Sequence, residues 1–314
     1  MAINGSLDGK LIVLMGGSGF IGRYTAQALL ERGARLRIAS RHPELAFSLK
    51  PLANLGQLQF ARCNARDRRS VERSIEGADA VVNLVGSFEG DLKALMGQSA
   101  GWMAEAAAGQ GAEAFVHVSA IAADPDGKSE YASAKRLGEE LVSSAFPRAT
   151  IVRPSILFGE DDKFLTMFAG LIQMFPLLPV FGPDAQLQPV FVDDVAEAIV
   201  RALENPARFG GTTFELGGPE RITMLELNRS IAAAQRRDRT FLPMPDAVSG
   251  MFAALPGTPM SSDQWHLLKS GNVASGASPG FEKLDIVPRP LSLMLDKWMV
   301  RYRKHGRFHG RANA

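Results

Sequence analysis

Residues 16–23 read GGSGFIGR, eight positions between an apolar run and a helix-like stretch. Gly16, Gly19 and Gly22 stand three apart, and Gly17 also allows a G-x-G-x-x-G reading. Glycines so spaced permit a tight turn, close approach of backbone amides to a pyrophosphate, and near contact of helix and strand. Gly16, Gly17, Ser18, Gly19, Phe20, Ile21, Gly22 and Arg23 are therefore candidate cofactor-binding residues. A dinucleotide site for NAD usually places an acid about 20 residues further on, to accept from the ribose 2′-hydroxyl. Here the text is Ala39-Ser40-Arg41-His42, with no acid. Arg41, with Ser40 and Arg23, would instead pair with a 2′-phosphate through charge-assisted hydrogen bonds, so the expected cofactor is NADPH. A third group is Ser119, Tyr131 and Lys135. The last two lie four apart and share a helix face. Such a trio suits hydride or proton transfer at a carbonyl: a phenol acidified by a neighbouring ammonium, and a hydroxyl that polarises the carbonyl.

These residues need a particular frame. LIVLM at 11–15 reads as a first strand, GGSGFIG as its turn, and RYTAQALLERG as a helix closing on Gly33. The rhythm repeats in RLRIAS (35–40) followed by PELAFSLKPLA, and in QLQFA (57–61) followed by a helix that Asp67 caps. ADAVVNLVG (78–86) precedes a long helix near 91–109, and AEAFVHVSA (112–120) and ATIVRPS (149–155) flank the helix carrying Tyr131. Six such strands fit an α/β, doubly wound parallel-sheet Rossmann fold, buried on both faces. A helix (VDDVAEAIVRALEN), a strand (TTFELGG) and a helix opened by a Thr223–Glu226 capping box follow. The expected division is a core over 1–218, with an irregular apolar insertion at about 159–186, and a smaller C-terminal α/β region over 219–314.

Composition limits the function. Lys and Arg number 35 against 33 Asp and Glu, which disfavours a dedicated nucleic-acid binder. The last fourteen residues carry five of those cations, Arg301, Arg303, Lys304, Arg307 and Arg311, and no acid, leaving the remainder at a net of −3. The single Cys63 excludes an intramolecular disulfide and a cysteine metal cluster, and suits a reducing compartment. The five histidines show no H-E-x-x-H spacing, so no metal site is expected. LIVLM is too short for a secretory h-region, and no Arg-rich, acid-poor transit segment precedes it, so a cytoplasmic protein is expected. Residues 164–183, FLTMFAGLIQMFPLLPVFGP, contain no charge, but Pro176 and Pro179 would break a membrane-spanning helix. They read either as the pocket helix and lid of a reductase or as an apolar surface applied to a partner or to lipid.

The glycine loop with Ser119, Tyr131 and Lys135 resembles the extended or atypical branch of the short-chain dehydrogenase/reductase superfamily. Asn64, the run Asn83-Leu84-Val85-Gly86, and Pro154 with Ser155 fall where that branch touches adenine, pyrophosphate and nicotinamide. FVHVSAI, AKRLGEELVSSAFPRATIVRPSILFGEDDKF, QPVFVDDVAEAI, DQWHLLKSGNV and the WMVRYRKHGRF tail resemble, more specifically, the nucleotide-binding accessory subunit of respiratory complex I (alpha-subcomplex subunit nine family) and its bacterial counterparts. That resemblance implies a tightly held NADPH with a structural role, other complex I subunits as partners, and docking of the subunit on the peripheral arm, close to the membrane and the quinone site. It implies a peripheral location on the cytoplasmic face of the bacterial inner membrane, or on the matrix side in mitochondria. Retention of Tyr131 and Lys135 does not separate a scaffold, in which Ser119, Tyr131 and Lys135 would be vestigial, from a soluble NADPH-dependent reductase or epimerase that uses them.

Overall fold

The computed structural model describes residues 6–123, 129–255 and 260–304. Two units emerge, each discontinuous in sequence. The first comprises residues 1–154, 192–216 and 275–287, and the second 155–191, 217–274 and 288–314, the described parts of each being those above.

The first unit is built on a seven-stranded parallel sheet. Its strands are β1 (Leu11–Met15), β2 (Arg35–Ser40), β3 (Leu58–Arg62), β4 (Ala80–Asn83), β5 (Ala114–Val118), β6 (Thr150–Pro154) and Thr213–Leu216. Their spatial order is Thr213–Leu216, β6, β5, β4, β1, β2, β3. β1 pairs with β2 through Leu14 and Ile38 and with β4 through Leu14 and Val82, so the direction of winding reverses beside β1. A doubly wound sheet opens a crevice at this switch point, outside the carboxyl ends of the strands. β1 and β5 are buried along their whole length; β1 reads as an unbroken apolar run, and β5 as one interrupted by the buried His117.

Helices α1 (Phe20–Glu31), α2 (Arg68–Ile75), α3 (Ser99–Gly109) and α4 (Glu130–Ala145) cover the sheet. Local chemistry sets their ends. The Asp67 carboxylate accepts from the Arg69 amide, and Gly33 takes φ +80° immediately beyond the C-cap of α1. Three elements differ from the sequence expectation. TTFEL joins the sheet as a seventh strand, pairing Thr213 with Ile151 and Leu216 with Pro154. Residues Pro43–Leu52 form a 3₁₀ helix instead of an α-helix, with Pro51 withholding an amide inside it. The helix expected near 91–109 begins as a π-helical turn, Lys93–Gln98, before α3.

In the second unit, helix Met224–Ala234 opens with the expected capping box: the Glu226 amide donates to Thr223 Oγ1 at 3.1 Å and the Thr223 amide to Glu226 Oε2 at 2.8 Å. The uncharged stretch forms a helix, Lys163–Met174, that stops before Pro176, then a strand, Leu177–Val180, paired in parallel with Thr240–Pro243. Leu165, Ala169, Ile172, Leu178 and Val180 are buried, while Met174, Phe175 and Leu177 are exposed, so the stretch is half core and half surface. Among the described residues, no helix is long and apolar enough to cross a membrane. Its membership departs from the expected division, because residues 155–191 group with the C-terminal segments and not as an insertion in a core ending at 218. The first unit in turn takes back 275–287, where the Ser275 amide and hydroxyl both donate to Glu215 at 2.7 Å. Arg307 and Arg311 of the basic tail lie outside the described residues.

Candidate functional site

The glycine loop sits between β1 and α1, at the switch point of the first unit. Gly16 has φ +79°, its amide donates to the Ala39 carbonyl at 2.7 Å, and a Cβ on it would stand 3.1 Å from the Leu84 carbonyl carbon. Gly17 passes so near β1 that a Cβ would lie 2.7 Å from that of Leu14. A Cβ on Gly22 would lie 2.6 Å from the Gly17 carbonyl carbon. Gly19 is the N-cap of α1 and contributes no side-chain bond, so the first turn's amides, with the positive end of the helix, are left to receive an anion. The Ser18 hydroxyl donates to Ser40 at 2.9 Å and joins the loop to the end of β2. Phe20 and Ile21 begin the helix, Phe20 edge-on to Tyr24 at 5.4 Å, and Arg23 donates its amide to Gly19.

Past the ends of β2 and β3 lies an opening of about 380 Å³ lined by Arg41, His42, Arg62, Cys63, Asn64, Arg66 and Leu95. Arg41 and Asn64 both line it. Arg62 and Arg66 come from outside the sequence reading. Arg62 arrives because β3 runs parallel to β2 with Ser40 opposite Arg62. The Asn64 side chain accepts from the Arg66 amide at 3.1 Å and shapes the turn that brings Arg66 in. No carboxylate lines the opening, and among the described residues none of the three guanidinium groups is within ion-pair distance of one. The nearby acid is Glu44, which bonds His42 at 3.0 Å and interacts with Arg62, so the three guanidinium groups leave the opening basic.

On the other side of the switch point, Asn83 holds the loop after β4. Its amide nitrogen is 3.0 Å from His117 Nδ1, and its oxygen accepts from the Val85 amide at 3.0 Å. Lys135 in α4 donates to Val118 O at 2.9 Å and to Val85 O at 3.3 Å, with Gly86 beside it. Ser119 ends β5 with its amide bonded to Val152, and its buried hydroxyl has no partner among the described residues. Pro154 closes β6 and accepts from the Ile121 amide at 3.1 Å. Ser155 opens the second unit, where its hydroxyl donates to the Gln188 carbonyl.

The electrostatics around Tyr131 run against an acid–base role. Burial pushes its phenol up to about 12, so the expected lowering by Lys135 is not what the environment delivers. Lys135 is itself lowered to about 8 by burial, opposed by the Glu139 carboxylate one turn along α4. Its ammonium gives two of its three donors to carbonyls and stands 5.9 Å from the Tyr131 ring centroid. The ring's face is covered by Phe88, stacked at 4.5 Å and 18°. A general acid or base works best with a pKa near the operating pH, and this phenol is far above it. The glycine cradle, the uncapped helix, the arginine-lined opening and the orphaned Ser119 hydroxyl together fit a phosphorylated dinucleotide.

The comparisons agree with this geometry. The model of the NAD dependent epimerase/dehydratase family matches residues 12–217. NADH dehydrogenase (ubiquinone) 1 alpha subcomplex subunit 9, mitochondrial, of Mus musculus is 31% identical over 96% of this chain and 82% of its own. The NADH-ubiquinone oxidoreductase 40 kDa subunit, mitochondrial, of Neurospora crassa is 30% identical over 96% of this chain and 81% of its own. The crystal structure of a nucleoside-diphosphate-sugar epimerase from Staphylococcus aureus superposes with a TM-score of 0.71, covering 91% of this chain and 99% of that one at 16% identity, a likeness of fold. With a family match across its nucleotide-binding unit and relatives that span both units, the chain belongs to the NAD dependent epimerase/dehydratase family and, within it, to the subunit 9 family of NADH dehydrogenase.

Proposed function

We propose that this chain is an NADPH-binding, non-catalytic accessory subunit of NADH:quinone oxidoreductase, held peripherally at the cytoplasmic face of a bacterial inner membrane or, in mitochondria, at the matrix face. The observation that carries the reading is the extent of the similarity: it runs over 96% of the chain and does not stop at the dinucleotide fold that reductases share. Partners are then the neighbouring subunits of the complex. The family's NAD dependence makes the cofactor a nicotinamide nucleotide. The arginine-lined opening at the end of β2 supports the 2′-phosphorylated form. Within this reading, the glycine loop and the α1 N-terminus hold the pyrophosphate, Arg41 reads the 2′-phosphate, and Lys135 steadies the nicotinamide half. When bound, the nucleotide would supply hydride chemistry, which the raised Tyr131 phenol and its Phe88 cover do not assist.

Purification of the oxidoreductase from native membranes, with mass spectrometry of the intact assembly, tests the role. Both the chain and NADPH are expected in the particle; an intact, active complex lacking the chain would overturn the proposal. Arg41→Glu tests the cofactor. Replacing a charge-assisted phosphate contact by repulsion is expected to weaken NADPH about 100-fold by fluorescence titration, while NADH changes less than about threefold. Equal losses for the two nucleotides would show that Arg41 does not read the phosphate.

A further inference from the structure

The second unit contains a shallow basic depression, apart from the glycine loop and Lys135 of the first unit. About 460 Å³ in volume, it is lined by Ala233, Arg236, Asp296, Lys297, Val300 and Arg303, three cations against one carboxylate. Its walls are fixed. Arg303 donates to the Ala234 carbonyl at the end of helix Met224–Ala234 at 2.8 Å and to Asp296 at 3.0 Å. Arg237 returns two bonds, at 3.2 and 3.0 Å, to the Tyr302 carbonyl. Asp296 is thus occupied by Arg303. The head groups of Arg236 and Lys297 have neither a hydrogen bond nor an ion pair among the described residues.

The backbone at Arg236 is a second observation. The helix ends in a Schellman arrangement, with the Arg236 amide donating to Ala233 at 2.9 Å and the Arg237 amide to Ala232 at 3.0 Å. The first of these two donors, just past the C-cap, must be left-handed, and glycine usually stands there. Here it is Arg236, at φ 55°. An arginine at a position that strains its backbone, lining one depression together with two other cations, points to a use for the charge.

We infer that Arg236, Lys297 and Arg303 form a binding site for a phosphate-bearing anion, either a soluble phosphate or the headgroup of an acidic phospholipid. The guanidinium of Arg236 and the ammonium of Lys297 provide convergent donors for one phosphate, Arg303, held by Ala234 and Asp296, adds its charge at the edge, and Val300 offers an apolar wall.

The test uses the full chain, an Arg236→Gly/Lys297→Gln variant, and an Arg69→Gln/Arg73→Gln control that removes two cations from α2. Glycine suits φ 55°, so Arg236→Gly is expected to leave Tm within about 2 °C of the wild type, which separates lost binding from lost folding. Inorganic phosphate should raise the wild-type Tm above its value in chloride at equal ionic strength, and the pocket variant should lose that rise while the control keeps it. In co-sedimentation with phosphatidylglycerol vesicles, a lipid source is expected to show as about tenfold weaker binding of the pocket variant, with phosphatidylcholine as the blank. A phosphate effect confined to the pocket, with vesicle binding unchanged by the variant, assigns the site to a soluble phosphate. If the pocket variant behaves like the control in both assays, net charge alone is acting and the inference fails.

Discussion

Lowering the pH from 6.5 to 3 is expected to cost the nucleotide-binding unit about 4 kcal/mol through His117 alone. Its side chain is 1% exposed on β5, and burial, with Lys135 nearby, holds it down to about 3, against 6.5 in an unfolded chain. Each pH unit of that difference is worth about 1.4 kcal/mol. In this window the unfolded state binds the proton that the folded state refuses, so stability is full above pH 6.5 and falls as the pH drops toward 3. The geometry explains the refusal. The Asn83 amide donates to Nδ1, which leaves the proton on Nε2, and Nε2 has no partner among the described residues. A second proton would put a charge in the same buried layer as the Lys135 ammonium. Urea unfolding of the wild type and of His117→Gln, at pH 7 and pH 4, isolates this contribution from the carboxylates. The stability difference between the two proteins should shift by about 3 kcal/mol over that range. A difference independent of pH would mean that His117 takes up its proton equally in both states.

Gly22→Ala is expected to destabilise the same unit by about 3 kcal/mol and to weaken NADPH at least 100-fold. The added methyl would lie 2.6 Å from the Gly17 carbonyl carbon and 2.7 Å from its Cα. Those atoms belong to the backbone of the glycine loop and have no rotamer in which to retreat. Relief therefore requires α1 to move away from the loop, which withdraws the uncapped amides at its N-terminus from the pyrophosphate. Gly170→Ala is the control. A Cβ on Gly170 meets nothing within 4 Å, and the residue lies inside helix Lys163–Met174, so alanine should stabilise by about 0.5–1 kcal/mol. Chemical denaturation and a fluorescence titration of NADPH read both variants. An unaltered nucleotide affinity in Gly22→Ala would show that close helix–loop contact is not what shapes the site.

Much of the frame was legible because its causes are local. LIVLM and RLRIAS coincide with β1 and β2: β1, buried throughout, is a continuous apolar run between turn residues, while β2 buries Leu36, Ile38 and Ala39 and exposes Arg35. Asp67 and the Thr223–Glu226 pair cap the helices that they were expected to cap, because a cap is decided within four residues. Gly16 could be assigned to the turn for the same reason, its φ of +79° being open to glycine at little cost.

What escaped the sequence depends on neighbours distant along the chain. Arg62 and Arg66 carry no motif; Arg62 reaches the basic opening because β3 lies in register against β2, and Arg66 through the turn that Asn64 shapes. The Tyr131–Lys135 spacing identified the pair but not its state. Phe88, 43 residues away, covers the phenol, while Val85 and Val118 take two of the ammonium's donors, and burial then outweighs the cation. The division into units is of the same kind: no composition change marks the return of residues 275–287 to the sheet, which Glu215 secures through Ser275. By itself, then, the sequence determined the doubly wound frame, the glycine cradle and the family, since these rest on periodicity, turn chemistry and text. Only the tertiary structure decided which charges meet and which are buried. Electrostatic work depends on distance and solvation in space, and neither is written in the spacing of residues along the chain.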